Sequence, residues 1–323
     1  MATYRGTFGQ KIQYIASDPS PLTEGQVWYN STSNTLKVAT QITSTEAWTT
    51  VPSMGTGRYS HAMTGSQTAT IASCGSTGPG AGGTSSVTEF YNGSSWTSGT
   101  SNPTGRKGPD GVGTQTAAMV FLGAVPGPTG VTNVTTLWNG SSWTSLAGVS
   151  TPRETAQGAG EVYTASLIAG GQTNTQATEE FNGTTWTGGG NLNTGRWGMG
   201  MAGVQTLALG FGGGNPGNVT NTEGYNGSTW TNLTAMNVAR ARNASFGATQ
   251  GKAVSGGVPG TGTEVWSGSS WAAGTAMNTP RARASGSGSQ IAGLGSGNYP
   301  ANGVTEEWTG AANYLGAKTV TTS

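Results

Sequence analysis

Hydrophobic positions along this chain come in short runs that tend to alternate with polar ones and end in glycine. The segments "GSQTATIASCG", "GTQTAAMVFLG", "GEVYTASLIAGG", "GVQTLALGFGGG", "GATQGKAVSGG" and "SGSQIAGLGSG" are copies of one such pattern: a turn followed by a short apolar run. Each predicts a hairpin of two short strands. A second pattern, "VTEFYNGSSWTS", predicts another hairpin, with Asn-Gly at its tip because both residues tolerate positive φ. Copies of it begin at Tyr91, Trp138, Phe181, Tyr225 and Trp266. Together the two patterns predict four strands per repeat, a, b, c and d.

The repeat is regular enough to measure. From the aromatic before the turn to the Trp after it is five residues in all five copies. From that Trp to the next Arg is ten residues in all six cases, Trp48, Trp96, Trp143, Trp186, Trp230 and Trp271 leading to Arg58, Arg106, Arg153, Arg196, Arg240 and Arg281. The period of 41 to 48 residues is that of propeller blades, which are four-stranded antiparallel sheets. Five repeats are complete, and the sixth reaches Trp308 and then places Asn313 where the Trp should stand. An orphan d strand at residues 46–50 precedes the first repeat. The expected fold is therefore all-β, a six-bladed propeller closed by that N-terminal strand, which removes a free sheet edge. A rival arrangement completes the last blade with "NYLGAKTVTTS" instead. Expected boundaries are 1–45 for a small N-terminal β-hairpin segment, 46–309 for the propeller and 310–323 for a C-terminal tail.

Composition removes several classes of function. Only 8% of the 323 residues are charged, against about a quarter in ordinary domains, and Gly accounts for 57 positions. Regularly spaced aromatics, 11 Trp, 9 Tyr and 6 Phe, argue against disorder. A net charge of +1 offers no footprint for nucleic acid, and no apolar stretch approaches the roughly 18 residues of a membrane span. The single Cys74 cannot form an internal disulfide and is expected to be a buried small residue in a glycine position. His61 has no nucleophile motif near it, no cluster has zinc spacing, and no cofactor is implied. "MATYRGTFGQKIQY" lacks the apolar core of a signal peptide, so synthesis in a cytoplasm is expected and Asn92, Asn139, Asn182 and Asn226 are read as turn residues rather than glycosylation acceptors.

The repeat as a whole, a double glycine, an aromatic, a Trp and then an Arg, resembles the kelch repeat. Gly170, Gly171, Phe181, Trp186 and Arg196 show it best, and the resemblance covers residues 46–309. Only Gly75 and Gly123 remain of the pair in the first two blades. Residues 18–39, "DPSPLTEGQVWYNSTSNTLKVA", resemble a short hairpin found in phage structural proteins, and with the Gly/Ser/Thr-rich blades the chain resembles virion and tail-associated proteins of marine phages. That resemblance implies a virion protein, in a tail, a fibre or a capsid decoration, joined to other virion proteins through its N-terminal segment.

Strand order puts the b–c and d–a connections on one face. Length varies almost entirely in b–c, and variable exposed loops are where recognition resides. The candidate face for a host-surface glycan or other receptor is carried by Thr77, Pro79, Pro126, Thr129, Gln172, Asn174, Asn215, Asn218, Pro259, Asn298 and Tyr299. Its low charge suits neutral polar ligands. Five repeats also place a Glu two residues before the aromatic, Glu89, Glu179, Glu223, Glu264 and Glu306, with Thr136 in the second blade. With the six arginines they read as a structural ring of ion pairs; the other reading is an arginine ring gripping a phosphate or acidic sugar. The carboxylates sit mostly in this scaffold pattern, so a non-enzymatic protein is expected. An intracellular protein–protein adaptor and a carbohydrate-active enzyme are the alternatives.

Overall fold

The computed structural model describes residues 12–78, 83–126 and 130–320, all strands, turns and loops, with no α-helix among them. The strands are β1 (Gln13–Ile15), β2 (Val27–Asn30), β3 (Thr35–Ser44) and β4 (Ala47–Val51), then β5 to β28 in sequence. Blade 1 is β5 (Ala62–Ser66), β6 (Ala69–Ser73), β7 (Thr88–Tyr91) and β8 (Trp96–Gly99). Blade 2 is β9 (Asp110–Thr114), β10 (Ala117–Phe121), β11 (Thr135–Trp138) and β12 (Trp143–Leu146). Blade 3 is β13 (Gln157–Ala159), β14 (Ser166–Ala169), β15 (Thr178–Phe181) and β16 (Trp186–Gly188). Blade 4 is β17 (Gly200–Val204), β18 (Leu207–Phe211), β19 (Thr222–Tyr225) and β20 (Trp230–Leu233). Blade 5 is β21 (Ala244–Thr249), β22 (Lys252–Gly256), β23 (Thr263–Trp266) and β24 (Trp271–Gly274). β25 (Ser285–Gly288), β26 (Ala292–Asn298) and β27 (Asn302–Thr309) follow, and β28 is Ala312–Thr319.

These strands form seven four-stranded sheets, six of them in the compact unit Glu46–Thr309. The sixth blade is β25-β26-β27-β4, in which Trp308 stands opposite Trp48. Each innermost strand contacts the next around the ring, and β25 meets β5. This is an all-β, kelch-like propeller. The seventh sheet, β1-β2-β3-β28, belongs to a second unit of residues 1–45 and 310–323. The segment expected as a separate tail is thus a strand: β28 pairs along most of β3, which offers it an otherwise unpaired edge. The N-terminal hairpin β2–β3 gains a parallel neighbour, β1, on its other side. Asp18 fastens that hairpin, accepting from Trp28 Nε1 at 3.0 Å, Asn30 Nδ2 at 2.8 Å and Lys37 Nζ at 2.8 Å.

Burial explains the strand patterns. The b strands are buried almost throughout, as in Ser166–Ala169, rather than on alternate residues, because neighbouring blades cover both faces. The d strands are largely exposed beyond their Trp. Each c-strand aromatic tilts against the d-strand Trp opposite it, with centroids 5.0–5.5 Å apart in all six blades. The same tryptophans reach the preceding blade: Trp186 packs on Phe121 and Trp271 on Phe211, and the indole N–H groups of Trp48, Trp230 and Trp271 donate to Thr263, Thr178 and Thr222. The core is therefore a set of inter-blade layers.

The c–d turn differs from its prediction. Tyr91 and Trp96 are paired, so the loop holds four residues, and Gly93 takes φ +89° while Asn92 does not take a positive φ. Asn92 acts through its side chain, whose Oδ1 accepts from the backbone N–H groups of Ser94 and Ser95 at 3.0 and 2.9 Å. Asn139, Asn182 and Asn226 do the same.

A second repeated device is absent from the expectations above. Gln115, Gln205 and Gln250, in the a–b turns, each donate their amide to two backbone carbonyls of the preceding blade; for Gln250 these are Ala208 and Tyr225, both at 2.8 Å. Gln67 and Gln290 bridge to the preceding blade likewise, and Val162 occupies the corresponding turn of blade 3. Gln250→Ala is expected to destabilise the protein by about 1–2 kcal/mol. Urea unfolding checks this, and a midpoint unchanged by the substitution would refute the staple.

Candidate functional site

The six repeated arginines are buried; Arg58, Arg106, Arg196 and Arg281 are 0% exposed. Each begins a blade and turns its guanidinium back onto that blade's own strands. Arg196 donates to the carbonyls of Gly212 and Asn221 at 2.9 and 2.6 Å and to Glu223 at 3.0 Å. Arg58, Arg153 and Arg281 pair with Glu89, Glu179 and Glu306 at 2.8–2.9 Å, and Arg240 sits 3.7 Å from Glu264. The carboxylates also accept backbone N–H groups of the d–a connection, as Glu306 does from Asn278 and Thr279. In blade 2, Arg106 donates to Val134, Val120 and the Thr136 hydroxyl, and Asn102 swings in from the d–a loop to donate to that hydroxyl too. Burial pulls the pKa values of Arg58, Arg196, Arg240 and Arg281 down, and their glutamates oppose it. These guanidiniums hold the d–a crossover to strand c from inside the blade; each Nε, and Nη2 of Arg153, is buried without a hydrogen-bond partner, so it is burial rather than full hydrogen bonding that closes them to a ligand.

Two residues beyond each arginine the backbone turns left-handed: Ser60, Gly108, Thr155, Gly198, Arg242 and Arg283 have φ between +47° and +63°. Their peptides link blade to blade. Gly108 N donates to Ser60 O, Thr155 N to Gly108 O, Gly198 N to Thr155 O, Arg242 N to Gly198 O and Ser60 N to Arg283 O, at 2.7–3.0 Å. These six residues form the rim of a central cavity of about 600 Å³, lined below by the innermost strands. For a residue with a Cβ this conformation costs about 1–2 kcal/mol, so glycine is its natural occupant.

Two lining groups stand out. Asp110 is the first residue of β9, and its carboxylate accepts Gly158 N–H of the next blade at 2.7 Å. Burial pushes its pKa up to about 7 against two backbone N–H groups that hold it down. His61 is buried with Nε2 3.0 Å from Ser296 Oγ, and burial, with Arg58 and Arg281 nearby, keeps its pKa well below the usual imidazole range, so it is neutral. Beside it Gly75 takes φ +102°, where a Cβ would lie 2.7 Å from His61 Cβ; this explains why the second glycine of the pair persists where the first is Cys74 or Leu122. Cys74 is buried, as expected, and is left-handed at φ +65°, as Gly170 is at +69° in its own blade.

The d–a and b–c connections do share the rim's face: Tyr59 pairs with Ser76, Lys107 with Ala124 and Trp197 with Gly214. Of the predicted b–c residues, Thr77, Pro126, Gln172, Asn218, Pro259 and Tyr299 are exposed, and Asn174 and Asn215 are half-buried. Pro79 and Thr129 lie outside the described residues. Asn298 is a scaffold group rather than a free one, since its Oδ1 accepts Ala282 N–H at 2.7 Å and its Nδ2 donates to Pro280 O.

The residues that the sequence reading missed lie in the d–a segments. Arg242 stacks on Trp197 with Cζ 4.6 Å from the ring centroid, and Arg283 lies over Tyr299 at 4.9 Å and Tyr59 at 5.6 Å, the two tyrosines meeting edge to face. The signal was present in the two positions after each arginine, which read YS, KG, ET, WG, AR and AR. That variation directly follows the most constant residue of the repeat.

No protein-family model and no curated protein sequence matches the chain. Among solved structures, the one titled "Structure of YjhT" is similar, with a TM-score of 0.63 at 12% sequence identity, covering 83% of this chain and 99% of that one. The likeness is one of fold and places the chain among β-propellers.

Proposed function

We propose that this protein is a non-enzymatic structural component of a phage particle whose propeller adheres to a glycan or other receptor on the host surface. The observation that carries this reading is the asymmetry of the two ends of the ring. At the a–b and c–d end, the glutamine amides and asparagine carboxamides are engaged in turns and inter-blade bonds. At the other end, loops of unequal length leave Gln172, Asn218 and Tyr299 exposed, and Tyr299 lies against Arg283 of the cavity rim. Exposed carboxamides and an aromatic ring on the face that carries the cavity rim suit a saccharide. The particle assignment rests on the phage-like hairpin of residues 18–39, which lies in the unit separate from the ring. That unit is the attachment to other virion proteins.

Electron microscopy of particles carrying a label at the C-terminus tests the location; absence of label from particles would overturn it. A glycan array probed with the intact chain and with b–c loop deletions tests the face. Binding is expected to fall with the loops, and binding that survives loss of all of them would exclude that face.

A further inference from the structure

The rim contains two arginines that the fold does not use. Arg242 and Arg283 are the two described arginines outside the buried ring, and they occupy equivalent rim positions on blades 5 and 6. Their backbones are left-handed, φ +55° and +58°, at positions that Gly108 and Gly198 fill in blades 2 and 4. Folding would favour glycine there.

Neither guanidinium donates a hydrogen bond or forms an ion pair within 4 Å to any described residue, and Arg242 Nε is buried without a partner. Aromatic stacking fixes their planes: Trp197 holds one, Tyr59 and Tyr299 the other. Stacking uses the faces of a guanidinium and leaves its in-plane N–H fork free, which is the geometry that takes a carboxylate or sulfate bidentately. Burial and then the Arg283 charge disfavour the charge on Arg242, with Glu154 as the acidic group that partly offsets them. An anion brought between the two guanidiniums relieves that repulsion.

We propose that the Arg242–Arg283 segment of the rim is an oxyanion site that binds the carboxylate or sulfate of a ligand seated in the cavity mouth. This deepens the adhesion reading by assigning the receptor an acidic group, against the neutral ligand that the low overall charge suggests, and it rests on that reading only for the saccharide that carries the anion. The cavity of about 600 Å³ takes a terminal sugar or two, and the exposed Tyr299 ring lies against Arg283 of its rim.

Titration calorimetry on the full chain at low ionic strength tests this with three probes: sodium sulfate, an oligosaccharide ending in a hexuronic acid, and its neutral hexose counterpart. The acidic oligosaccharide is expected to bind at least tenfold tighter than the neutral one, and sulfate to compete with it. The double variant Arg242→Gly, Arg283→Gly is expected to lose that preference while melting within a few degrees of the parent, because glycine suits both backbones. Arg242→Gln with Arg283→Gln serves the same purpose should the glycine pair fail to fold. Preference retained in the double variant, or no anion binding by the parent, overturns the site. Sulfate binding that needs the arginines without binding of either oligosaccharide supports the site and removes the glycan. Equal binding of acidic and neutral oligosaccharides does the reverse.

Discussion

Arg196→Ala lowers the stability of the protein by about 3–5 kcal/mol, because it leaves a buried carboxylate without its cation. Glu223 is 0% exposed, as is Arg196, and the substitution also strips donors from the carbonyls of Gly212 and Asn221. Glu223 keeps three N–H donors, from the Asn193 backbone and side chain and the Thr194 backbone, so its charge persists as a strained feature rather than being removed. Replacing both partners, as Arg196→Met with Glu223→Gln, is expected to be milder than the single change. Chemical denaturation of the parent, Arg196→Ala and the double variant decides the point. A melting curve of Arg196→Ala that superimposes on the parent's would sink the structural account of the arginine ring.

Asp110→Asn raises stability above neutral pH and has little effect in acid. The carboxyl titrates near 3.9 in an unfolded chain and at about 7 in the folded one. Between those values the folded state holds the extra proton, so the stability due to this group is complete below about pH 4 and is lost as pH rises through about 7. Asparagine cannot ionise, and its carbonyl can still accept the Gly158 N–H that Asp110 accepts at 2.7 Å. The other blades place Ala62, Gln157, Gly200, Ala244 and Ser285 at this first position of the innermost strand, all uncharged. The gain at pH 8 is expected to be about 2–4 kcal/mol. Urea unfolding at pH 4 and pH 8 measures it, and an equal difference at both values would show that burial does not hold this proton.

The architecture was readable because its determinants are local and repeated. Constant distances between aromatic, Trp and Arg reflect a hairpin of fixed length and a crossover clamped by a buried ion pair, and Trp48 kept that spacing at the far end of the chain. The partner of β28 was not readable, since "NYLGAKTVTTS" carries no landmark and only an open edge on β3 gives it a place. The asparagine of the c–d turn was found for an incomplete reason: the dipeptide signals a tight turn, but a four-residue loop uses the carboxamide rather than the asparagine's backbone. Loop length, which marks variable surfaces, carries no trace of the rim. Arg242 and Arg283 lie in segments of constant length, where identity varies and spacing does not.

The pairing of Trp48 with Trp308 has a consequence for how such a chain can be assembled from parts. Thr309 stands opposite Ala47 in the ring, and Ala312 opposite Ser44 in the second unit. The whole propeller is thus spliced between two strands that are already partners, and it leaves by the doorway through which it came in. Any other module whose first and last strands meet side by side satisfies the same junction. A chain built this way can exchange its entire propeller in one recombination event, leaving the unit of residues 1–45 and 310–323 unaltered.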